Sequence, residues 1–201
     1  MKFLSIFVSL LLLGCAESQI ASSPIVGVTR SVAPGGFGNC SVPVDLRLEA
    51  DGRKARLLAD VTYIDPNGFV WLAPKGWVVD GASIPQAFWT VIGGPWEGKY
   101  RFASVLHDVA CDQKKRGWHE AATMFYQAMR CGGVKETRAK VMYYAVYKFG
   151  PHWPSPGAPK LRAEPPRPAT HEDVRRIEEF VNRTNPSLTQ IRAQAAKPTL
   201  P

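Results

Sequence analysis

Apolar and polar residues alternate along the first part of the body of this chain. Val44, Leu46 and Leu48 alternate with Asp45, Arg47 and Glu49, the two-residue period of a half-buried strand. Asp51 and Gly52 supply a hairpin turn, and Arg56 to Ile64 reads as the returning strand. Pro66, Asn67 and Gly68 turn the chain again, and Phe69 to Leu72 and Trp77 to Val79 read as further short strands. Connections this short predict a small antiparallel sheet.

From residue 84 the apolar spacing lengthens to a helical one. Ser83 to Gln86 fits a capping box, with Pro85 in the first turn, and Phe88, Trp89, Val91 and Ile92 give a short helix one apolar side. Gly93, Gly94 and Pro95 break it. Phe102, Val105, Leu106 and Val109 stand at i, i+3, i+4 and i+7 on the next helix. A third, about 119 to 131, carries Ala122, Phe125 and Met129 with Trp118 ahead of it; a fourth, about 135 to 149, carries Val141, Met142, Ala145 and Phe149. After a Pro-rich stretch, Thr170 to Asp173 caps an amphipathic helix bearing Val174, Ile177 and Val181. The predicted body is α+β: a small antiparallel sheet followed by a cluster of about four helices. The last helix has three open roles: docking on the domain, reaching a membrane surface, or pairing with another protein.

At the N-terminus, Lys2 precedes an apolar run from Phe3 to Leu13 that only Ser5 and Ser9 interrupt. Its length suits a signal-peptide core and falls short of the roughly 20 residues of a membrane helix. No later stretch approaches that length. Leu12, Leu13, Gly14 and Cys15 resemble the lipobox of bacterial lipoproteins. That resemblance implies cleavage before Cys15, acylation of its thiol, and anchoring to a membrane; ordinary secretion is the alternative. Ala16 matches the pattern that sorts to the outer membrane, facing the periplasm. The expected organisation is a signal peptide over 1–14, a flexible tether over 15–41, a single domain over 42–150, and a Pro-rich segment with one helix and a disordered tail over 151–201.

The net charge is +8 and the isoelectric point near 9.5. Such a balance fits an anionic envelope component as partner. The export signal and the scattered placement of the basic residues argue against nucleic acid. Leaving Cys15 aside, Cys40, Cys111 and Cys131 remain. Export permits a disulfide; a bond from Cys111 to Cys131 across the helical hairpin and a bond from Cys40 to either are all open. His107 and Cys111 stand one turn apart, and with His119 and Cys131 they form a four-ligand zinc alternative. No cofactor follows from the sequence.

His107 and Asp108, near the middle of the second helix, are the most informative polar pair. Histidine is the side chain whose unperturbed pKa lies near neutrality. A helix turns about 100° per residue, so His107 points away from the Phe102 stripe, on a face with Ala103, Ala110 and Cys111. Asp108 lies a further step round and is badly placed to hold the His107 ring. Asp80, in the turn before the first helix, is the first candidate to orient it, and Glu120 the second. In the bland alternative Asp80 and Ser83 organise a turn and a cap while His107 is a core histidine; capping also accounts for Ser83 without a nucleophilic role.

The order PKGWVVDGASIP (Pro74 to Pro85), Phe88 and Trp89, Ile92 and Gly93, then His107 and Asp108 resembles a phage and bacterial family, domain-of-unknown-function 1353. Phe125 to Met129, Gly133 and Val134, Met142 to Val146, and Phe149 with Gly150 fit its helical half, so the likeness runs over roughly 45–150. It implies a domain boundary and no activity. The family's third helix carries an acidic residue near the position of Ala122, which this chain lacks. The His–Asp helix also resembles that of secreted phospholipases A2, where histidine activates water and the adjacent aspartate binds calcium; Gly93 to Pro95 is a weak stand-in for the calcium loop.

Two function classes follow. One is a hydrolase of an envelope lipid or peptidoglycan, with His107 as general base, Asp80 or Glu120 orienting it, and Asp108 beside it. The other is a non-catalytic lipoprotein that binds an envelope component or a partner through exposed aromatics, with Trp89, Trp96 and Trp153 as candidates. A cavity converging on His107 favours the first; a tightly packed His107 favours the second.

Overall fold

The computed structural model describes residues 36–41, 43–81, 84–94, 96–155, 157 and 166–201, with the side chain of Val91 left aside. The signal segment, Cys15, most of the tether, Ser83 and much of the Pro-rich stretch lie outside the described residues. The architecture is α+β, strands first and helices after. The single sheet expected is two three-stranded antiparallel sheets. One has the order β1 (Asn39–Cys40), β4 (Val61–Ile64), β5 (Val70–Ala73). The other has the order β2 (Leu46–Leu48), β3 (Ala55–Leu57), β6 (Val78–Val79).

The division falls inside the stretch read as one returning strand, Arg56 to Ile64. After β3 the Leu58 amide bonds the Asp45 carbonyl, and the Asp60 carboxylate accepts the Lys75 amide at 2.7 Å. These bonds bend the chain out of one sheet, and Val61 enters the other opposite Ala73. Alternation survives on both sides of the bend. Ala55, Leu57, Val61 and Tyr63 are buried while Arg56 and Thr62 are half-buried. Leu48 departs from the pattern and is 56% exposed at the end of edge strand β2. β1 lies within the segment expected as tether.

A 3-10 turn at Gln86–Phe88 runs into α1 (Trp89–Ile92), followed by α2 (Arg101–Gln113), α3 (Trp118–Cys131) and α4 (Glu136–Phe149). α2 is the centre of the domain. It packs against α3 and against β4, β5 and β6, and buries Phe102 to Val109 without interruption. The expected apolar stripe is therefore only part of a helix enclosed on nearly every side. α3 packs on α2 and α4 on α3.

The C-terminal region differs from the disordered tail expected. Thr170 caps α5 (His171–Thr184), its hydroxyl accepting the Asp173 amide while Asp173 accepts the Thr170 amide at 2.8 Å. α6 (Leu188–Ala195) follows, and both helices pack on α4, burying Val174, Ile177, Val181 and Ile191. Lys148 donates to the carbonyls of Ala195 and Lys197, and Arg176 to those of Leu200 and Pro201. Of the three roles left open, docking on the domain is the one observed. The alanine- and Pro-rich composition at the end hid this helix, whose apolar contribution is a few residues only.

Cys40 and Cys131 form a disulfide that joins β1 to the end of α3. The pairing across the α2–α3 hairpin does not form, and buried Cys111 keeps its thiol. The closed loop spans 91 residues of separation, a length for which chain entropy gives about 4 to 5 kcal/mol. Cys40→Ser with Cys131→Ser is expected to lower stability by about that much or somewhat less, read as a shift in the urea midpoint; an unchanged midpoint would contradict the bond.

Candidate functional site

The site singled out by sequence lies where the loop after β6 meets the middle of α2. Gly81 has a φ of +63°, a left-handed conformation that favours glycine, and its amide donates to Asp108 Oδ2 at 2.7 Å in a buried bond. Asp108 thus ties the loop to α2. Asp80, one residue earlier and half-buried, lines a cavity of about 420 Å³ together with Asp108, Cys111, Asp112 and Lys54. Asp112 also accepts the Trp77 indole N–H at 3.2 Å, a role that the sequence reading passed over. Its position one turn after Asp108 was the available signal.

His107 does not line that cavity. It is 3% exposed, its ring lies 5.0 Å from that of Phe125 on α3, and its Nδ1 is 3.7 Å from Cys111 Sγ. Burial pushes its pKa down from 6.5 to about 4, because an imidazolium there would have no water. The ring is therefore neutral at physiological pH. On the face it shares with Ala103, Ala110 and Cys111, the His107 ring itself packs against Phe125.

The second candidate partner, Glu120, is elsewhere. It is exposed, and its carboxylate accepts the Gly117 amide at 2.9 Å and pairs with Arg116. That is the work of a helix cap at the start of α3. The alternative zinc ligands are likewise dispersed. Cys131 is in the disulfide, and His119 belongs to an aromatic stack with Trp118 and Tyr147, where burial lowers its pKa. Among the described residues no three His, Cys, Asp or Glu side chains are placed to hold a metal ion. The Gly94 carbonyl accepts the Tyr100 hydroxyl, and Pro95 lies outside the described residues. The three tryptophans proposed as an exposed patch are tied down separately. Trp89 donates to Ile84 O, Trp96 to Arg53 O, and buried Trp153 to Arg116 O.

Comparison with known proteins finds the model of the family described as "Protein of unknown function (DUF1353)" over residues 55–146. The match takes in a little under half of the chain. The DUF1353 region thus holds β3 to β6 and nearly all of α1 to α4, with Asp80, His107, Asp108 and Glu120 inside it. "Uncharacterized protein y4jT" of Sinorhizobium fredii (strain NBRC 101917 / NGR234) is 46% identical over 129 residues, 63% of this chain and 38% of that protein. "Uncharacterized protein y4iH" of the same organism is 40% identical over 124 residues, 62% of this chain and 49% of that protein. The chain therefore spans under half the length of these curated relatives. No solved structure matches it. Within the DUF1353 region, Ala122 is buried one turn before Phe125, so the turn of α3 that precedes the ring packed on His107 offers a methyl group rather than a carboxylate.

Two outcomes are expected from this geometry. Asp108→Ala removes the buried acceptor of the Gly81 amide and should cost about 2 kcal/mol, with faster amide exchange at Gly81; Asp108→Asn should cost less. For His107, the unfolded chain takes a proton near pH 6.5 and the folded chain only near pH 4. Its contribution is constant above pH 6.5, and stability is lost as pH falls from there toward 4. The loss reaches about 2 kcal/mol at pH 5. His107→Gln should flatten the stability profile over that window by this amount, whatever its effect at pH 7. Parallel profiles would contradict the buried neutral ring.

Proposed function

We propose that this chain is an exported lipoprotein, acylated at Cys15 and held on a bacterial cell envelope, with a domain that binds a partner and performs no catalysis. The observation that carries the non-catalytic reading is the packing of His107: a neutral ring against Phe125, outside the neighbouring cavity, with its pKa pushed to about 4. A general base works best near ambient pH and within reach of the proton it removes. His107 has neither property.

The export half of the proposal rests on the Phe3 to Leu13 run and the Leu12 to Cys15 motif. It gains support from Cys40–Cys131, since such bonds persist in oxidising compartments. The anchor would be the outer membrane, facing the periplasm, and the basic balance favours an anionic component or partner. A hydrolase is the second reading, favoured by the grouping of Asp80, Asp108 and Asp112 around one cavity. It would have to run on carboxylates rather than on His107.

The test joins acylation to activity. In a bacterial host fed an alkyne fatty acid, the wild-type chain should carry the label and fractionate with membranes, and Cys15→Ser should lose both; a labelled Cys15→Ser or an unlabelled wild type would refute the anchor. Purified wild type should release nothing above the blank from phospholipid or peptidoglycan, and release abolished by His107→Gln would refute the non-catalytic reading.

A further inference from the structure

The first sheet ends at β5, and the outer edge of that strand is open. The Asp65 amide donates to the Phe69 carbonyl, and the Ser41 amide donates to the Thr62 carbonyl. Backbone groups alternate sides along an antiparallel pair. With Tyr63 opposite Trp71 and Val61 opposite Ala73, Trp71 and Ala73 therefore bond inward to β4. The N–H and C=O groups of Val70 and Leu72 point outward, and β5 has no further strand beside it among the described residues. Phe69, Val70 and Leu72 are also exposed, at 37%, 52% and 46%. Edges are usually blunted by charge, proline or cover. β5 has none of these within Val70–Ala73.

Beside the open edge lies a cavity of about 130 Å³ between β5 and the C-terminal half of α2. It is lined by Val70 and Leu72 from the outer face of β5 and by Trp71 from the inner face, so it opens along the edge itself. Leu106 and Val109 form its apolar floor, and Lys115 and Arg116 stand at its rim. The Arg116 guanidinium lies 4.6 Å over the Phe69 ring, which puts positive charge at the start of β5.

We propose that β5 and α2 form a docking groove for an extended acidic segment of a partner protein, added as a strand to the β5 edge. The backbone of the segment bonds Val70 and Leu72, one apolar side chain enters the cavity, and a carboxylate meets Lys115 and Arg116. A second copy of this chain fits less well. Antiparallel pairing of two β5 strands about Trp71 would bring Lys75 of one copy toward Lys115 and Arg116 of the other, like charge against like charge. The inference rests on the domain being a binding module.

The test uses the full-length chain in phosphatidylcholine nanodiscs as bait for a displayed library of random decapeptides, with empty nanodiscs as control. Selected peptides are then measured by fluorescence anisotropy. They should alternate apolar residues and carry Asp, Glu or a free C-terminal carboxylate at one end. Leu72→Pro removes an outward amide and leaves the bonds to β4 in place, so it should keep the fold and weaken binding by about tenfold or more. Ala110→Trp fills the cavity from α2 and should do the same, which covers the case of a misfolded proline variant. Lys115→Glu should weaken binding by about tenfold.

No enrichment over empty nanodiscs, or peptides that bind Leu72→Pro and Ala110→Trp as well as wild type, would overturn the groove. A dimer that Leu72→Pro turns into a monomer would place a second copy there and overturn the acidic partner. Displacement of the peptides by dodecyl phosphate but not by an acidic peptide would assign the cavity to lipid and also overturn it. Cleavage of bound peptides, seen by mass spectrometry, would instead overturn the non-catalytic reading and leave the groove standing.

Discussion

The burial of α2 is the constraint on which the rest of the domain depends. A helix enclosed by two sheets and by α3 has nearly no face for water, yet it carries Ser104, His107 and Asp108 within its buried stretch. Burial there favours polar groups that find partners or give up charge; the Ser104 hydroxyl does neither and has no hydrogen-bond partner among the described residues. Asp108 takes the Gly81 amide and so fixes the loop between the strands and the helices. His107 stays neutral and packs as a ring. Asp108 thus joins the two halves of the fold, while His107 packs between α2 and α3.

α1 to α5 were legible because their apolar spacing is regular and their ends carry local signals, as at Thr170 and Asp173; α6 was not. The strands were legible individually but not as sheets. Arg56 to Ile64 keeps an apolar residue at every odd position, so its period does not mark the bend, which is made by Asp45 and by Lys75 bonding Asp60, partners distant in sequence. Disulfide choice was closed to sequence for the same reason: Cys40 meets Cys131 only because β1 lies on α3. At the site, helical geometry gave the direction of His107 correctly but not what stands there. Small neighbours fit a pocket or close packing equally well, and Phe125 decides for packing. Glu120 and Asp80 were grouped with His107 by residue type; Glu120 is an exposed cap at the start of α3, and Asp80 lines a cavity that His107 does not line.

The exposed apolar surface was misplaced for a related reason. Tryptophan is a poor marker of it, because an indole N–H in a folded chain finds an acceptor, and Trp89, Trp96 and Trp153 each bond a carbonyl. The better signal was the run Phe69 to Leu72, apolar on both faces of a short strand beside a turn. A strand with one core face needs apolar residues at alternate positions only. The surplus at Val70 and Leu72 has no explanation in the core.

The two ends of the first sheet are treated unequally, and this asymmetry gives the surplus a meaning. At β1 the edge is closed: α3 packs on it, Cys40 is bonded to Cys131, and Phe37 sits against Tyr126 and under the Arg130 guanidinium. At β5 nothing comparable covers the edge among the described residues, although the strand is more apolar and lies beside α2, the most constrained helix of the domain. A buried helix next to an open strand makes a pre-formed groove, and a pre-formed groove costs less ordering on strand addition than a mobile loop would. The packing that buries His107 against Phe125 is thus part of the same packing that holds α2 beside β5.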